Sequence, residues 1–111
     1  MTIEQTAVDL GLKLLAGDSG KDNEVTGCYI GDLLSWVMSK AKQGDIWLTV
    51  MGNVNAVAVA ALTDAAAILL TENAALDEEA RIKADAQGIP VYTCSENSYE
   101  MAIKLNGMYN L

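Results

Sequence analysis

The fold is decided by residues 54–70, which read VNAVAVAALTDAAAILL. Only Asn55, Thr63 and Asp64 are polar in this stretch. It is shorter than the ~20 apolar residues that span a bilayer, and an Asp inside it would cost roughly 3 kcal/mol on insertion. We therefore divide it into an Ala-rich helix over Ala56–Leu62 and a buried strand over Ala66–Leu70. Thr63-Asp64 is then the joint between a helix and the strand that follows it.

Similar apolar runs recur along the chain, and segments with helical spacing lie between them. They predict strands over Val25–Ile30, Ile46–Met51 and Val91–Cys94, and helices over Thr2–Leu15 with Gly17 as its stop, Leu33–Ala41 closed by Gly44, Asp77–Ala86, and from the N-cap Ser98 onward. Parallel neighbours need a crossover, which helices supply. The pattern predicts one α/β domain over residues 1–111. It would have three layers, with a mainly parallel sheet of about four strands preceded by an N-terminal helix.

Composition excludes several classes of function. The chain has 111 residues with 15 acidic and 7 basic side chains, a net charge of -8, and no His. Such a charge opposes binding to nucleic acid and to anionic membranes. Without imidazole, general-base catalysis, Ser–His and Cys–His dyads and nearly all zinc sites are missing. We therefore predict a protein that is not an enzyme, with no catalytic residue, no metal and no cofactor.

The two cysteines, Cys28 and Cys94, resemble small buried hydrophobic residues more than a disulfide framework. Two thiolates would also supply only half of a metal or cluster site. The N-terminal residues lack the basic and apolar regions of a signal peptide. We therefore expect a reducing cytoplasm as the compartment.

A ligand site is expected beyond the carboxyl ends of the predicted strands, where open parallel sheets bind their ligands. Gly52 lets the backbone turn closely, and Asn53 or Asn55 can cap the next helix, which leaves N–H groups for a phosphate or carboxylate. Simple turn and cap chemistry is the favoured alternative, since no GxGxxG or GxxxxGK[ST] motif occurs. The predicted ligand-binding residues are Asp32, Gly52, Asn53, Asn55, Thr71 and Ser95.

Asp32 allows two interpretations. Its carboxylate stands where a strand gives way to an apolar helix, so it can cap the N–H groups of that helix or meet the hydroxyls of a ligand. We favour the cap.

The Ala-rich helix has apolar residues around its whole circumference, which indicates cover on every side. A chain this short has little spare cover, so we predict a homodimer. Trp36, Val37 and Val57 are the predicted contact residues, with Trp36 as an aromatic anchor. The alternative is that both helices belong to the core of one chain.

A family resemblance rests on five segments: Leu12–Gly17, Glu24–Ser35, Ala56–Leu62, Ala66–Thr71 and Gly88–Tyr92. Together they resemble the DRTGG domain family, which is similar in fold to the N-terminal domain of HPr kinase/phosphatase. The chain has no Asp-Arg-Thr-Gly-Gly string, so no ligand role of that string is carried over. The resemblance implies a regulatory domain. Its relatives are fused to CBS pairs in pyrophosphatases and to phosphotransacetylases, and short members lie beside iron-only hydrogenase and serine-kinase genes.

Two functions follow as hypotheses. The first is a dimeric sensory domain that binds a small metabolite or nucleotide at the strand ends and modulates a partner enzyme. The alternative is a subunit for protein interaction or dimerisation that binds no ligand.

Overall fold

The computed structural model describes all residues from Met1 to Leu111, and it contains five strands and five α-helices. In chain order they are α1 (Ile3–Leu10), β1 (Lys13–Ala16), β2 (Gly27–Ile30), α2 (Leu34–Lys40), β3 (Asp45–Thr49), α3 (Val54–Thr63), β4 (Ala67–Leu70), α4 (Glu78–Gln87), β5 (Val91–Thr93) and α5 (Ser98–Tyr109). The sheet order is β1-β5-β4-β3-β2, with β2 to β5 parallel and β1 antiparallel to β5. The α/β class and the mainly parallel sheet are confirmed, with five strands in place of about four.

Alternate strand residues build two separate cores, one on each face of the sheet. Trp47 and Ile68 pack with the buried residues of α2, α3 and α4. Their neighbours Ile46 and Leu69 pack with those of α1 and α5. The strands from β2 to β5 lie in chain order, so right-handed crossovers put the three connecting helices on the same face. The result is a three-layer arrangement in which the carboxyl ends of β2 to β5 lie along one edge.

The predicted N-terminal helix over Thr2–Leu15 is wrong beyond Leu10. Gly11 adopts φ 68° as the helix C-cap, where a left-handed residue ends the helical hydrogen bonding. The following residues, Lys13–Ala16, run antiparallel to β5 and form an edge strand. Gly17, predicted as the helix stop, instead follows that strand.

Two further helix boundaries differ from the prediction. Asn97, not Ser98, is the N-cap of α5: its side chain accepts from the Glu100 amide, and the Glu100 side chain accepts from the Asn97 amide, both within 3.0 Å. This reciprocal capping box satisfies two free amides at once. At the other boundary α2 ends at Lys40 and its C-cap Ala41 is extended, so Gly44 belongs to the next turn.

The Ala-rich helix α3 is less enclosed than predicted. Ala56, Val57 and Ala60 are fully buried against the sheet and the neighbouring helices, whereas Leu62 is 71% exposed. The expectation of no solvent face is therefore wrong, because one stripe at the end of the helix faces outward. No helix in the structure is both long and apolar enough to cross a membrane.

Candidate functional site

The candidate site is the edge of the sheet where the parallel strands end. The loops that follow β2, β3, β4 and β5 meet there, and all six predicted ligand-binding residues lie in these loops or directly beside them. The structure thus brings the predicted residues to one edge. What each side chain does there differs from residue to residue.

Asp32 joins two of the loops and does not cap α2. Its Oδ1 accepts from the Thr49 hydroxyl at 2.6 Å and from the Val50 amide at 3.1 Å. The N-cap of α2 is Leu33, which offers no side-chain acceptor, so the predicted cap is wrong. A carboxylate that accepts two hydrogen bonds from the end of β3 holds the β2–α2 loop against that strand.

In the Gly52-Asn53 turn, Asn53 caps the next helix and Gly52 allows another loop to pack closely. The Asn53 side chain accepts from the Ala56 amide at 2.9 Å, which makes Asn53 the cap among the two predicted candidates, while Asn55 lies exposed in the first turn of α3. A Cβ at Gly52 would lie 1.9 Å from the carbonyl oxygen of Ala75. Gly52 is therefore required so that the β4–α4 loop can lie against the β3–α3 turn.

The loops after β4 and β5 are also joined. Thr71 is fully buried and its hydroxyl lies 3.2 Å from the hydroxyl of Ser98. Glu72 and Asn73 both have φ above 50°, which turns their amides onto the carbonyls of the β5–α5 loop at 2.9 Å. Left-handed residues other than Gly cost energy, and these two hydrogen bonds offset it. Ser95 is exposed on the same loop.

A cavity of about 320 Å³ opens beside this edge, and we call it the α4 cavity. It is lined by Leu15, Asn73, Ala74, Ala75, Leu76, Arg81 and Thr93. None of the six predicted residues lines it. The sequence reasoning missed it because it placed Leu15 in a helix, although Arg81, the only arginine of the chain, was an available signal.

A family model described as the DRTGG domain matches residues 6–108, nearly the whole chain. The chain belongs to the DRTGG domain family. No curated protein matches it.

A solved structure has the same fold as this DRTGG domain. It is the crystal structure of the CBS and DRTGG domains of the regulatory region of Clostridium perfringens pyrophosphatase, complexed with its activator, diadenosine tetraphosphate. The TM-score is 0.71 at 12% sequence identity, and the match covers 92% of this chain and 44% of the other. The chain therefore spans less than half the length of that neighbour, and the likeness is one of fold.

The two thiols of this DRTGG domain are free and poorly suited to nucleophilic chemistry. Burial, with a smaller contribution from Asp45, raises the pKa of Cys28 to about 11. Burial, with the charge of Glu96, likewise raises the pKa of Cys94 to about 11. The nucleophile and metal ligand is the thiolate, and burial disfavours that form here. No group of three or more Cys, Asp or Glu side chains converges in a way that could hold a metal ion.

Of the three predicted contact residues, one is exposed and two are buried. Trp36 is 58% exposed on α2, and Lys40 Nζ lies 4.8 Å from the centre of its ring. Val37 and Val57 are both 0% exposed, so their side chains pack inside one chain and cannot line a surface. The predicted interface therefore reduces to Trp36 at this point of the fold.

Two further apolar side chains lie close to Trp36 in the chain. Leu33 is 61% exposed at the start of α2, and Ile30 is 48% exposed at the end of β2. β2 pairs only with β3, so its other side is a free edge. We call Ile30, Leu33 and Trp36 the Trp36 surface. Exposed apolar residues beside an unpaired strand edge are typical of places where proteins associate.

Proposed function

We propose that this DRTGG domain is a non-catalytic regulatory domain that forms a homodimer, binds a small metabolite or nucleotide at the strand-end loops and modulates a partner enzyme. The observation that carries the proposal is that the strand-end loops and the Trp36 surface are adjacent along the chain. Asp32 is hydrogen-bonded to the end of β3, and Leu33, the next residue, belongs to the Trp36 surface. A ligand that competes for Asp32 would shift the beginning of α2, and with it the surface that contacts a partner.

The non-catalytic part of the proposal rests on which side chains the chain offers as catalytic groups. The chain has no His, and the pKa of both thiols is about 11. The carboxylates remain, and no group of three or more of them converges in a way that could hold a metal ion. The free thiols also support a reducing, cytoplasmic compartment.

Ligand and partner classes come from the relatives. The solved neighbour is a regulatory region in complex with a nucleotide activator, so nucleotides are the first ligands to test. The resemblance to short family members points to an iron-only hydrogenase or a serine kinase as the first partner enzymes to test.

The test of the ligand is a thermal-shift screen of the full chain with nucleotides, phosphates and flavins. A ligand that binds the folded state raises Tm by mass action. We expect at least one of these compounds to do so, and we expect Asp32→Ala to remove the effect while Asp22→Ala, an exposed carboxylate without a hydrogen-bond partner, retains it. A screen in which no compound moves Tm would contradict the ligand part.

One observation favours the alternative, a protein-interaction subunit with no ligand. Asp32, Asn53 and Thr71 already make hydrogen bonds within the chain, and Ala75 covers Gly52. Oδ1 of Asp32, Oδ1 of Asn53 and the Thr71 hydroxyl therefore have partners without a ligand. If the screen is silent and Trp36→Ala still loses the oligomer or the partner, the alternative holds.

A further inference from the structure

The α4 cavity combines an apolar floor with three polar groups. Leu15, Ala74 and Leu76 are half-buried and pack against the core beneath α4. Thr93 and Asn73 contribute a hydroxyl and an amide, neither of which makes a side-chain hydrogen bond within the chain. A concave apolar surface with a few convergent polar groups is the usual form of a small-molecule site.

Arg81 supplies the third polar group, and only part of its hydrogen-bonding capacity is used. Its Nε and Nη2 donate to Glu78, and its Nη1 donates to Asp85 at 3.0 Å. A guanidinium has five N–H groups in a planar fork. Two donors therefore remain on a side chain that lines the cavity.

The charges around Arg81 select against anions. Glu78 and Asp85 both contact the guanidinium, so the three groups together carry one net negative charge, in a chain of net charge -8. An anionic ligand would be repelled by this net charge, and a simple cation would offer no acceptor to the free N–H groups of Arg81. An uncharged acceptor avoids both problems and receives a hydrogen bond from the guanidinium.

We propose that the α4 cavity binds a small uncharged ring molecule that carries a carboxamide or a lactam. Its carbonyl oxygen accepts from the free N–H groups of Arg81, its amide N–H donates to the Thr93 hydroxyl, and its ring lies against Leu15. The volume of about 320 Å³ is close to the lower limit of ligand pockets, which suits a single ring. This site is separate from the strand-end residues of the proposed function. Its ligand is uncharged, whereas a phosphate at the strand-end loops would be an anion.

Nicotinamide and nicotinate test the proposal, because they share a ring and differ by a carboxamide against a carboxylate. Each is titrated into the full chain while amide chemical shifts are recorded by NMR. Nicotinamide is expected to shift the amides of Leu15, Ala74 and Thr93, and to bind about tenfold more tightly than nicotinate. No shift at these amides with nicotinamide, or binding of nicotinate at least as tight, overturns the proposal.

Two variants of α4 provide the matched comparison. Arg81→Gln and Lys83→Gln each remove one positive charge from the same helix, and only Arg81 lines the cavity. Arg81→Gln is expected to weaken nicotinamide binding about tenfold, while Lys83→Gln leaves it unchanged. Thr93→Val preserves side-chain shape, removes the hydroxyl and replaces Arg81→Gln if that variant does not fold. Equal binding by the wild type and the cavity variant contradicts the assignment, whatever the outcome for Asp32 and Trp36.

Discussion

Single residues at the strand-end edge act mainly by joining neighbouring loops. Asp32 holds the β2–α2 loop to β3, Asn53 caps α3, and Thr71 meets Ser98 across two loops. The residue types were predictable, since Gly, Asn and Asp follow the strands in sequence. The cap by Asn53 was predictable as well, because the helix that it caps comes next in the chain. The partners of Asp32 and Thr71 were not, because they lie 17 and 27 residues away.

Replacement of Asp32 by Ala is expected to lower the free energy of unfolding by about 1–2 kcal/mol, because the hydroxyl of the buried Thr49 and the Val50 amide lose their acceptor. Urea denaturation of the wild type and the variant measures the loss. Asp22→Ala is the control, since Asp22 is exposed and its carboxylate makes no hydrogen bond within the chain. A loss no larger than that of the control would contradict the role given to Asp32.

The cysteines lead to a prediction about pH. Burial favours the neutral thiol, so the pKa of about 11 in the folded state lies above the ordinary thiol value of 9.0. The raised pKa stabilises the folded chain fully below about pH 9, and that stabilisation is lost as the pH rises towards 11. Alkylation by iodoacetamide should therefore be much slower than for free cysteine at pH 8 and should accelerate towards pH 11. Rapid labelling of both thiols at pH 8 would contradict this environment.

At the scale of whole elements, the order of the parallel strands and their connecting helices was predictable, and the edge strand β1 was not. The apolar runs that predicted β3 and β4 correspond to strands in which every residue is buried, as expected for central strands of a parallel sheet. The Leu12–Leu15 segment is different, because its leucines continue the helical spacing of α1. Gly11 decides the outcome by ending the helix, and the pairing with β5 that makes this segment a strand is a long-range contact that local spacing does not reveal.

The contact between the β3–α3 turn and the β4–α4 loop predicts the effect of Gly52→Ala. The new Cβ would lie 1.9 Å from the Ala75 carbonyl oxygen, so the two loops must separate. We expect a loss of about 1–3 kcal/mol in the free energy of unfolding, measured by urea denaturation. Gly107→Ala is the matched control: it lies in α5 with open space around it and should gain roughly 0.5–1 kcal/mol. Equal effects at the two positions would show that Gly52 is not confined.

At the scale of the whole molecule, apolar residues are divided between two cores and a set of exposed positions that includes the Trp36 surface. The hydrophobic share of 51% indicated both a core and an interface, and sequence reasoning left the choice open for α2 and α3. The structure divides α2 itself: Val37 is buried, whereas Trp36 on the same helix is exposed. Adjacent helical residues point in different directions, so an interface expected from a run of neighbours reduces to those on the outer face.

The central claim, a regulatory dimer that associates through the Trp36 surface, is tested most directly by sedimentation equilibrium. The wild type is compared with Trp36→Ala and with a control, Tyr99→Ala. The control also removes an exposed aromatic side chain, at a residue that is 74% exposed on α5. The account predicts a dimer for the wild type and for Tyr99→Ala. For Trp36→Ala it predicts a dissociation constant raised at least about tenfold, because an aromatic anchor costs about 2 kcal/mol or more when truncated. A monomeric wild type, or a Trp36→Ala dimer as tight as that of the wild type, would contradict it.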